Sequence, residues 1–434
     1  MIGRNIVLIT LDSVRADHCG FMGYPVKTTP TLDKMAKKGL CFENAIAPAP
    51  RTLFSMVQNF TGRHIMFTEV NKTKGLTELI NARRHIKSYN TIAEILKKRK
   101  YFTGAFCPNA YTSRYFGFDK GFDYFQDFMF CSSFYQKIFS KMVKNQSKIG
   151  AILRNIRNFI FKQEVFKTWE SYYDDIINWV GKAKEPFFLW IFLLDTHLPW
   201  IVPRSYRSNV NIFEMYYYNF KLVKLLEKKE YSINSTEFIK KLILLYNSSI
   251  RYSDDFIKNI IRDLDSYDPV FIIHSDHGEE FGERGHFGHF HPHLYEENIH
   301  VPLIVYNSDE RSRIHRPFSL INLPAVISGL TADSLIDTIE NILEKVTYII
   351  SKDYNYLENR TVVSARLNSW KYITGQNSVD ELYNLEDDPN ERINLINDCP
   401  EIAEYLRKLV KSQLDQENKL RKIRRIYSKV GRSL

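Results

Sequence analysis

Apolar runs of strand length alternate along this chain with segments of helical period. Residues 6–11, 101–106, 187–194, 269–274 and 301–306 are short and nearly continuous in apolar residues, the pattern of strands buried on both faces of a sheet. Between them, apolar spacing and start signals predict helices over 31–38, from Thr52 onward, and over 91–98, 172–181 and 238–264, the last as one helix or two. A short strand is expected at 41–45. Strands and helices in this order require a mostly parallel central sheet with helices on both faces, so the predicted class is α/β. Past a polar, basic loop at 308–317 the pattern changes to short runs at 348–351, 361–367 and 371–374. These predict a small antiparallel sheet, closed by a helix over 400–417. The division expected is a main α/β domain over 1–307, a C-terminal α+β subdomain over 318–418 and a basic tail over 419–434, with an inserted basic cover at 127–169.

Chemistry gathers where the strands end. The first strand delivers Asp12 at its carboxyl end, where open α/β sheets place ligands, and Arg15, Asp17 and His18 follow. The 269–274 run delivers Ser275-Asp276-His277-Gly278-Glu279, with His286, His289, His291 and His293 close behind. Adjacent aspartate and histidine in such a turn can aim an oxygen and a nitrogen at one cation, although a DHG tripeptide alone is also an ordinary polar turn. The stretch APAPRTL leads into a helix with Thr52 at its mouth, where unpaired amides and the helix dipole favour an anionic group. A threonine there could equally be a structural N-cap.

Several segments together resemble the sulfatase family of the alkaline phosphatase superfamily: LDSVR after the first strand, TTPTLDKMAKKG, FENA, FGFDKGFD, LDTHLPW, YNSSIRYSDDFI, SDHGEEFGERGHFGH, LYEENIHVPLIVY, and finally RLNSWKYITG and ELYNLEDDPNERINL. The resemblance covers most of residues 5–395, with gaps, and implies an alkaline phosphatase-like fold. One departure bears on the chemistry. Where sulfatases carry CxPxR or SxPxR, whose first residue becomes formylglycine, this chain reads Thr52-Leu53-Phe54-Ser55-Met56. Threonine cannot yield that aldehyde, and none of the five cysteines offers a substitute motif, so no formylglycine is expected.

Threonine in that place is similar to the phosphate-handling relatives, among them phosphodiesterases and phosphoglycerol or phosphoethanolamine transferases. The resemblance implies a divalent metal ion held by Asp12, Thr52, Asp276 and His277, with Thr52 as the nucleophile. A hydroxyl is a poor nucleophile until a cation withdraws charge from it. Oxygens with one nitrogen suit Mn²⁺, Mg²⁺, Zn²⁺ or Ca²⁺, and the sequence does not choose among them. The reaction expected is in-line attack on a phosphate monoester or diester, giving a phosphothreonine that water or a second alcohol resolves. His197 and His289 are the expected proton donors, and His197, His289, His291 and Arg15 the expected substrate contacts. Where the family reads GHGxxLY this chain reads GHFHPHLY, an extra residue that leaves the register between His289 and His291 open. A second cation site from Asp195, His197, His286 and His289 would resemble two-metal relatives. Two further readings stand beside the phosphoesterase: a sulfuric ester hydrolase working without formylglycine, and a catalytically silent member that binds an anionic ligand.

Composition narrows this little. A chain of 434 residues buries a large core, and no run is long enough to span a bilayer. The start does not read as a signal peptide, and five scattered cysteines suggest reduced thiols, so a cytoplasmic or peripherally membrane-associated protein is expected. The net charge of +10 is concentrated at Lys137–Lys167 and Lys419–Arg432. These basic segments are either solvated helix faces or contacts for anionic lipid or another polyanion. Nucleic-acid binding is not expected, because no recognised module accompanies the charge, and oligomeric state is unreadable.

Overall fold

The structure, a computed structural model, describes residues 3–65, 76–127, 168–207, 209–228, 235–331, 335–345, 349–355, 360–375 and 379–430. The basic cover expected at 127–169 lies outside the described residues except at its two ends. Eight strands form the main sheet in the order Ser312–Ile314, Leu40–Phe42, Leu303–Tyr306, Val270–Ser275, Ile6–Leu11, Phe187–Leu193, Phe102–Cys107 and Tyr124–Asp127. Leu303–Tyr306 alone runs against the rest, antiparallel to both neighbours; every other pairing is parallel. The three central strands are buried along their whole length.

Alternation of side chains across the pleat builds two cores. Ile6, Leu8, Phe188, Trp190 and Ile272 point to one face and meet Leu53, Phe54, Val57 and Phe60 of the helix Thr52–Thr61. Val7, Ile9, Leu189, Ile191 and Ile273 point to the other and meet Leu32 and Met35 of Pro30–Lys38, with Leu245 and Phe256 of Thr236–Asp263. Each fully buried large aliphatic or aromatic side chain stabilises the fold by roughly 1.5–3 kcal/mol, so the strand ends that carry the site are rooted in the buried core. The α/β class and the helices on both faces agree with the pattern read from the sequence.

Differences have local causes. The single strand expected at 41–45 is Leu40–Phe42 in the main sheet and Ala45–Ile46 in a separate three-stranded sheet. Pro302 lacks the amide needed to continue a ladder, so the 301–306 run divides into His300–Val301 and Leu303–Tyr306. The polar stretch expected as a loop contains the edge strand Ser312–Ile314, whose exposed Arg313 is the kind of charge that blunts an open sheet edge. The 238–264 region is one helix, Thr236–Asp263, begun by Ser235, whose hydroxyl accepts from the Phe238 amide.

At the C-terminal end, Ile349–Asn355, Arg360–Leu367, Trp370–Thr374 and Glu381–Asn384 form an antiparallel sheet in chain order. One of its faces packs on Ala403, Leu406 and Val410 of the last helix. That helix runs over Pro400–Val430, so the basic residues from 419 to 430 continue it instead of forming a tail that starts after its end. Helices Leu323–Leu330 and Leu335–Lys345 fall inside the expected C-terminal subdomain; their Leu323, Val326 and Ile339 join the main core, which also takes in Ile349, Val362, Ile373 and Tyr383 of this sheet. The sheet also touches the loop before Thr52: Ser351 Oγ donates to the Ala47 carbonyl at 2.7 Å, and the Lys352 amide to that of Pro48 at 3.0 Å. Among the described residues no helix is long and apolar enough to cross a membrane.

Candidate active site

Parallel register sets the geometry of the site. Leu11 pairs with Ser275 on one side and Leu193 on the other, so the next residues along each strand, Asp12, Asp276 and Leu194, leave the sheet at one level. Ser13 adopts a positive φ of 59°, and its amide donates to Asp276 Oδ1 at 3.0 Å. Left-handed backbone costs a non-glycine residue of order 1–3 kcal/mol and persists where its surroundings hold it. Here Tyr246, from the long helix, donates its hydroxyl to the Ser13 carbonyl at 2.6 Å and accepts the Arg15 amide at 2.9 Å. Asp12 accepts from Ser13 Oγ at 2.8 Å through Oδ1 and from Asn109 Nδ2 at 2.8 Å through Oδ2.

Thr52 opens its helix from the opposite side of the cleft. Its Oγ1 lies 3.0 Å from His277 Nε2, and one turn on, Ser55 Oγ donates to the Asp276 carbonyl at 2.6 Å, tying the helix to the aspartate turn. The N-cap position is held by Arg51 and Thr52 is the first helical residue, so capping gives no account of Thr52. His277 Nδ1 lies 2.8 Å from the Gly278 carbonyl; that contact fixes the proton on Nδ1 and leaves Nε2 as a lone-pair donor. Nε2 is 3.8 Å from Asp12 Oδ1 and 3.5 Å from Asp276 Oδ2. The donor atoms of Asp12, Asp276 and His277 all lie within 4.8 Å of one another, and all three residues are buried.

This set fits a divalent cation. Asp276 Oδ2 is buried with no hydrogen-bond partner, an orphaned acceptor turned toward the other donors. Burial pushes the Asp276 carboxyl up to about 7. Asp12 is raised by burial and then by the charge of Asp276. Burial and the neighbouring His289 hold His277 down to about 3, so its ring is neutral. Two buried carboxylates facing a neutral imidazole call for positive charge that these three side chains do not provide.

His197 and His289 stand beside this set. The His289 ring centre is 4.4 Å from that of His277 and 5.1 Å from that of His197. Its Nδ1 is 3.0 Å from Glu279 Oε2, and burial, then His197, lower its pKa to about 3, while burial lifts Glu279 to about 8. His289 is thus the histidine that the altered GHFHPHLY segment brings to the site. His291 is placed elsewhere, its ring 4.7 Å from His286 and 5.3 Å from His293. The grouping of Asp195, His197, His286 and His289 does not form: His286 packs with His291 and His293, and Asp195 Oδ1 accepts the Trp169 amide at 3.2 Å.

Arg15 is not brought to Thr52 either. Its guanidinium is committed to Asp17, at 2.8 and 2.7 Å, to Glu283, and to the Glu279 carbonyl at 3.0 Å. It braces the loop that carries Glu279 and His289. Asn109, Glu279, Ser55 and Tyr246 carry parts of the site that sequence reasoning missed or left without a role. Asn109 follows the Phe102–Cys107 strand, and its position just past a strand end in a parallel sheet was the available signal.

The fold and site define an α/β protein with a candidate divalent-metal centre at the carboxyl ends of its central strands. The Sulfatase family profile matches residues 4–334, and the chain belongs to the sulfatase family. Its relatives include human Arylsulfatase K, 23% identical over 92% of this chain and 80% of that one. An arylsulfatase of Clostridium perfringens is 25% identical over 95% and 94%. Among solved structures, the phosphonate monoester hydrolase of Agrobacterium radiobacter superposes with a TM-score of 0.67 at 17% identity, covering 95% of this chain and 96% of that one. The protein BT4656, solved with its substrate D-glucosamine-2-N,6-O-disulfate, gives a TM-score of 0.66 at 14% identity, covering 95% and 98%.

Proposed function

We propose that the chain is a metal-dependent hydrolase or transferase of phosphate monoesters or diesters, with Thr52 as the nucleophile. The observation that carries this reading is the Thr52 hydroxyl at 3.0 Å from His277 Nε2, beside the buried donors of Asp12 and Asp276. A divalent ion, Mn²⁺, Mg²⁺, Zn²⁺ or Ca²⁺, held by Asp12, Thr52, Asp276 and His277 would supply positive charge to the nucleophile and to the ester oxygens. Thr52 Oγ1 gives up its hydroxyl proton to solvent water and attacks phosphorus in line; the Oγ1–P bond forms, the bond to the leaving oxygen breaks, and a phosphothreonine results. Amides at the start of the Thr52–Thr61 helix face charge that grows on the equatorial oxygens. His289 protonates the departing oxygen from Nε2, and Glu279, 3.0 Å from Nδ1, returns the proton to that ring. His197, with Nδ1 directed at the Leu198 carbonyl and its ring centre 5.1 Å from that of His289, lines the space the substrate would occupy. Water or an acceptor alcohol then attacks the phosphothreonine.

A second reading, a sulfuric ester hydrolase that works without formylglycine, is favoured by the arylsulfatase relatives. Turnover of p-nitrophenyl phosphate, bis-p-nitrophenyl phosphate, a p-nitrophenyl phosphonate and p-nitrophenyl sulfate, with and without Mn²⁺, separates the two. Phosphoryl turnover that needs the metal and disappears in Thr52→Ala is the expected result. Sulfate release undiminished in that variant would replace the first reading with the second. No turnover of any ester would leave an anion-binding member of the family.

A further inference from the structure

The 280–293 hairpin carries more imidazole than the Thr52 chemistry uses. Glu280–Phe281 pairs antiparallel with Phe287–Gly288, and this folds His286, His291 and His293 onto one side of the turn. Their ring centres form a triangle of 4.6, 4.7 and 5.3 Å. Three imidazoles meeting one Zn²⁺ tetrahedrally, with Zn–N of ~2.0–2.1 Å, place their ring centres roughly 5 Å apart. Their nitrogens do not all lie within 4.8 Å of one another, so a turn about Cβ–Cγ is needed to aim all three at one point. That torsion is broad and soft in histidine.

A buried carboxylate completes the arrangement. Glu280, 1% exposed, places Oε1 at 2.9 Å from His293 Nδ1, the carboxylate–histidine pairing that orients metal-ligating imidazoles. Its other oxygen, Oε2, is buried with no hydrogen-bond partner. His286 and His291 are half-buried, which gives an ion a path from solvent. Three protonated rings at these distances would repel one another, whereas a shared cation turns the same proximity into attraction.

We propose that His286, His291 and His293 form a second metal site, separate from Asp12, Asp276 and His277, that takes Zn²⁺ or another imidazole-preferring ion, with Glu280 fixing His293. Imidazole ligands suit Zn²⁺, Cu²⁺ or Ni²⁺, while the carboxylate-rich set beside Thr52 also accepts Mn²⁺ or Mg²⁺, so the two sites differ in kind. The role follows from position. The hairpin carries His289 between His286 and His291, and a cation there would lock the loop that presents the expected proton donor.

The test is Zn²⁺ content of the tag-free full-length chain after gel filtration, measured in an Asp276→Ala background that disables the first set. About one Zn²⁺ per chain is expected, with the visible absorption of tetrahedral Co²⁺ when cobalt replaces it. Adding His291→Ala and His293→Ala should abolish both signals, and Glu280→Gln should weaken binding about 10–100-fold. Circular dichroism checks that the substituted chains fold. Should they not, the Asp276→Ala chain alone decides, through a rise in melting temperature with Zn²⁺. An Asp276→Ala chain that holds no Zn²⁺ and does not melt higher in its presence overturns the proposal, as does equal Zn²⁺ retention after His291 and His293 are removed. Neither outcome depends on whether Thr52 is a nucleophile.

Discussion

Asp12, Thr52 and Asp276 reach one point from three distant parts of the chain, whereas His286, His291 and His293 come from a single short stretch. The first group is held by strand register, by the Tyr246 clamp and by Ser55, all rooted in buried structure. The second is held by a two-residue ladder and one carboxylate. A loop can gain a residue, as GHFHPHLY does, and rearrange its histidines without disturbing strand ends. The strand-end set is anchored by the core, and the hairpin set only locally.

The sharpest way to break this contrast is at Thr52. Thr52→Ala should lower phosphoester turnover at least ~10³-fold and cost about 1–3 kcal/mol of stability, because the buried contact with His277 Nε2 goes with the hydroxyl. Steady-state kinetics with a thermal melt reads both. Next is Glu279→Gln, expected to cost about 10²-fold with an alkyl leaving group and much less with p-nitrophenolate, which needs no proton on departure. Equal losses on the two substrates would remove the relay through His289. Asn109→Ala frees one Asp12 oxygen from its positioning bond and should weaken metal-dependent activation about 10–100-fold, read as a higher Mn²⁺ concentration for half-maximal rate. The smallest effect is expected from Arg15→Lys. It loses the fork on Asp17 and should alter stability by about 1–3 kcal/mol in a denaturant titration, with KM little changed if Arg15 braces the loop without touching substrate.

The sequence made the main sheet legible because its central strands are buried on both faces and read as continuous apolar runs. Asp12, Asp276 and His277 stood out because each follows such a run directly. Less was readable where contacts are tertiary. Asn109 lies two residues beyond its strand in a segment without a charge, and only the folded sheet, with Phe187–Leu193 between the two strands, shows that it reaches Asp12. Arg15 looked like an anion contact because it follows Asp12 closely, yet Asp17 and Glu283, two and 268 positions away, take its guanidinium. The edge strand Ser312–Ile314 was hidden by its own charges. Residues 318–345 read in sequence as part of the C-terminal subdomain, and only tertiary contacts show that Leu323, Val326 and Ile339 join the main core.

The contacts from Ser351 and Lys352 to Ala47 and Pro48 are joined by a forked ion pair in which Arg51 donates through Nε and Nη2 to Asp353, at 2.8 and 2.6 Å. The residue immediately before Thr52 is therefore fastened to the antiparallel sheet more than three hundred positions downstream. Shortening the protein to its sulfatase-profile segment would leave Asp12, Asp276 and His277 in place and still remove the anchor of the residue that precedes the nucleophile. A fragment ending near residue 334 should be treated as a different molecule, not as a minimal enzyme.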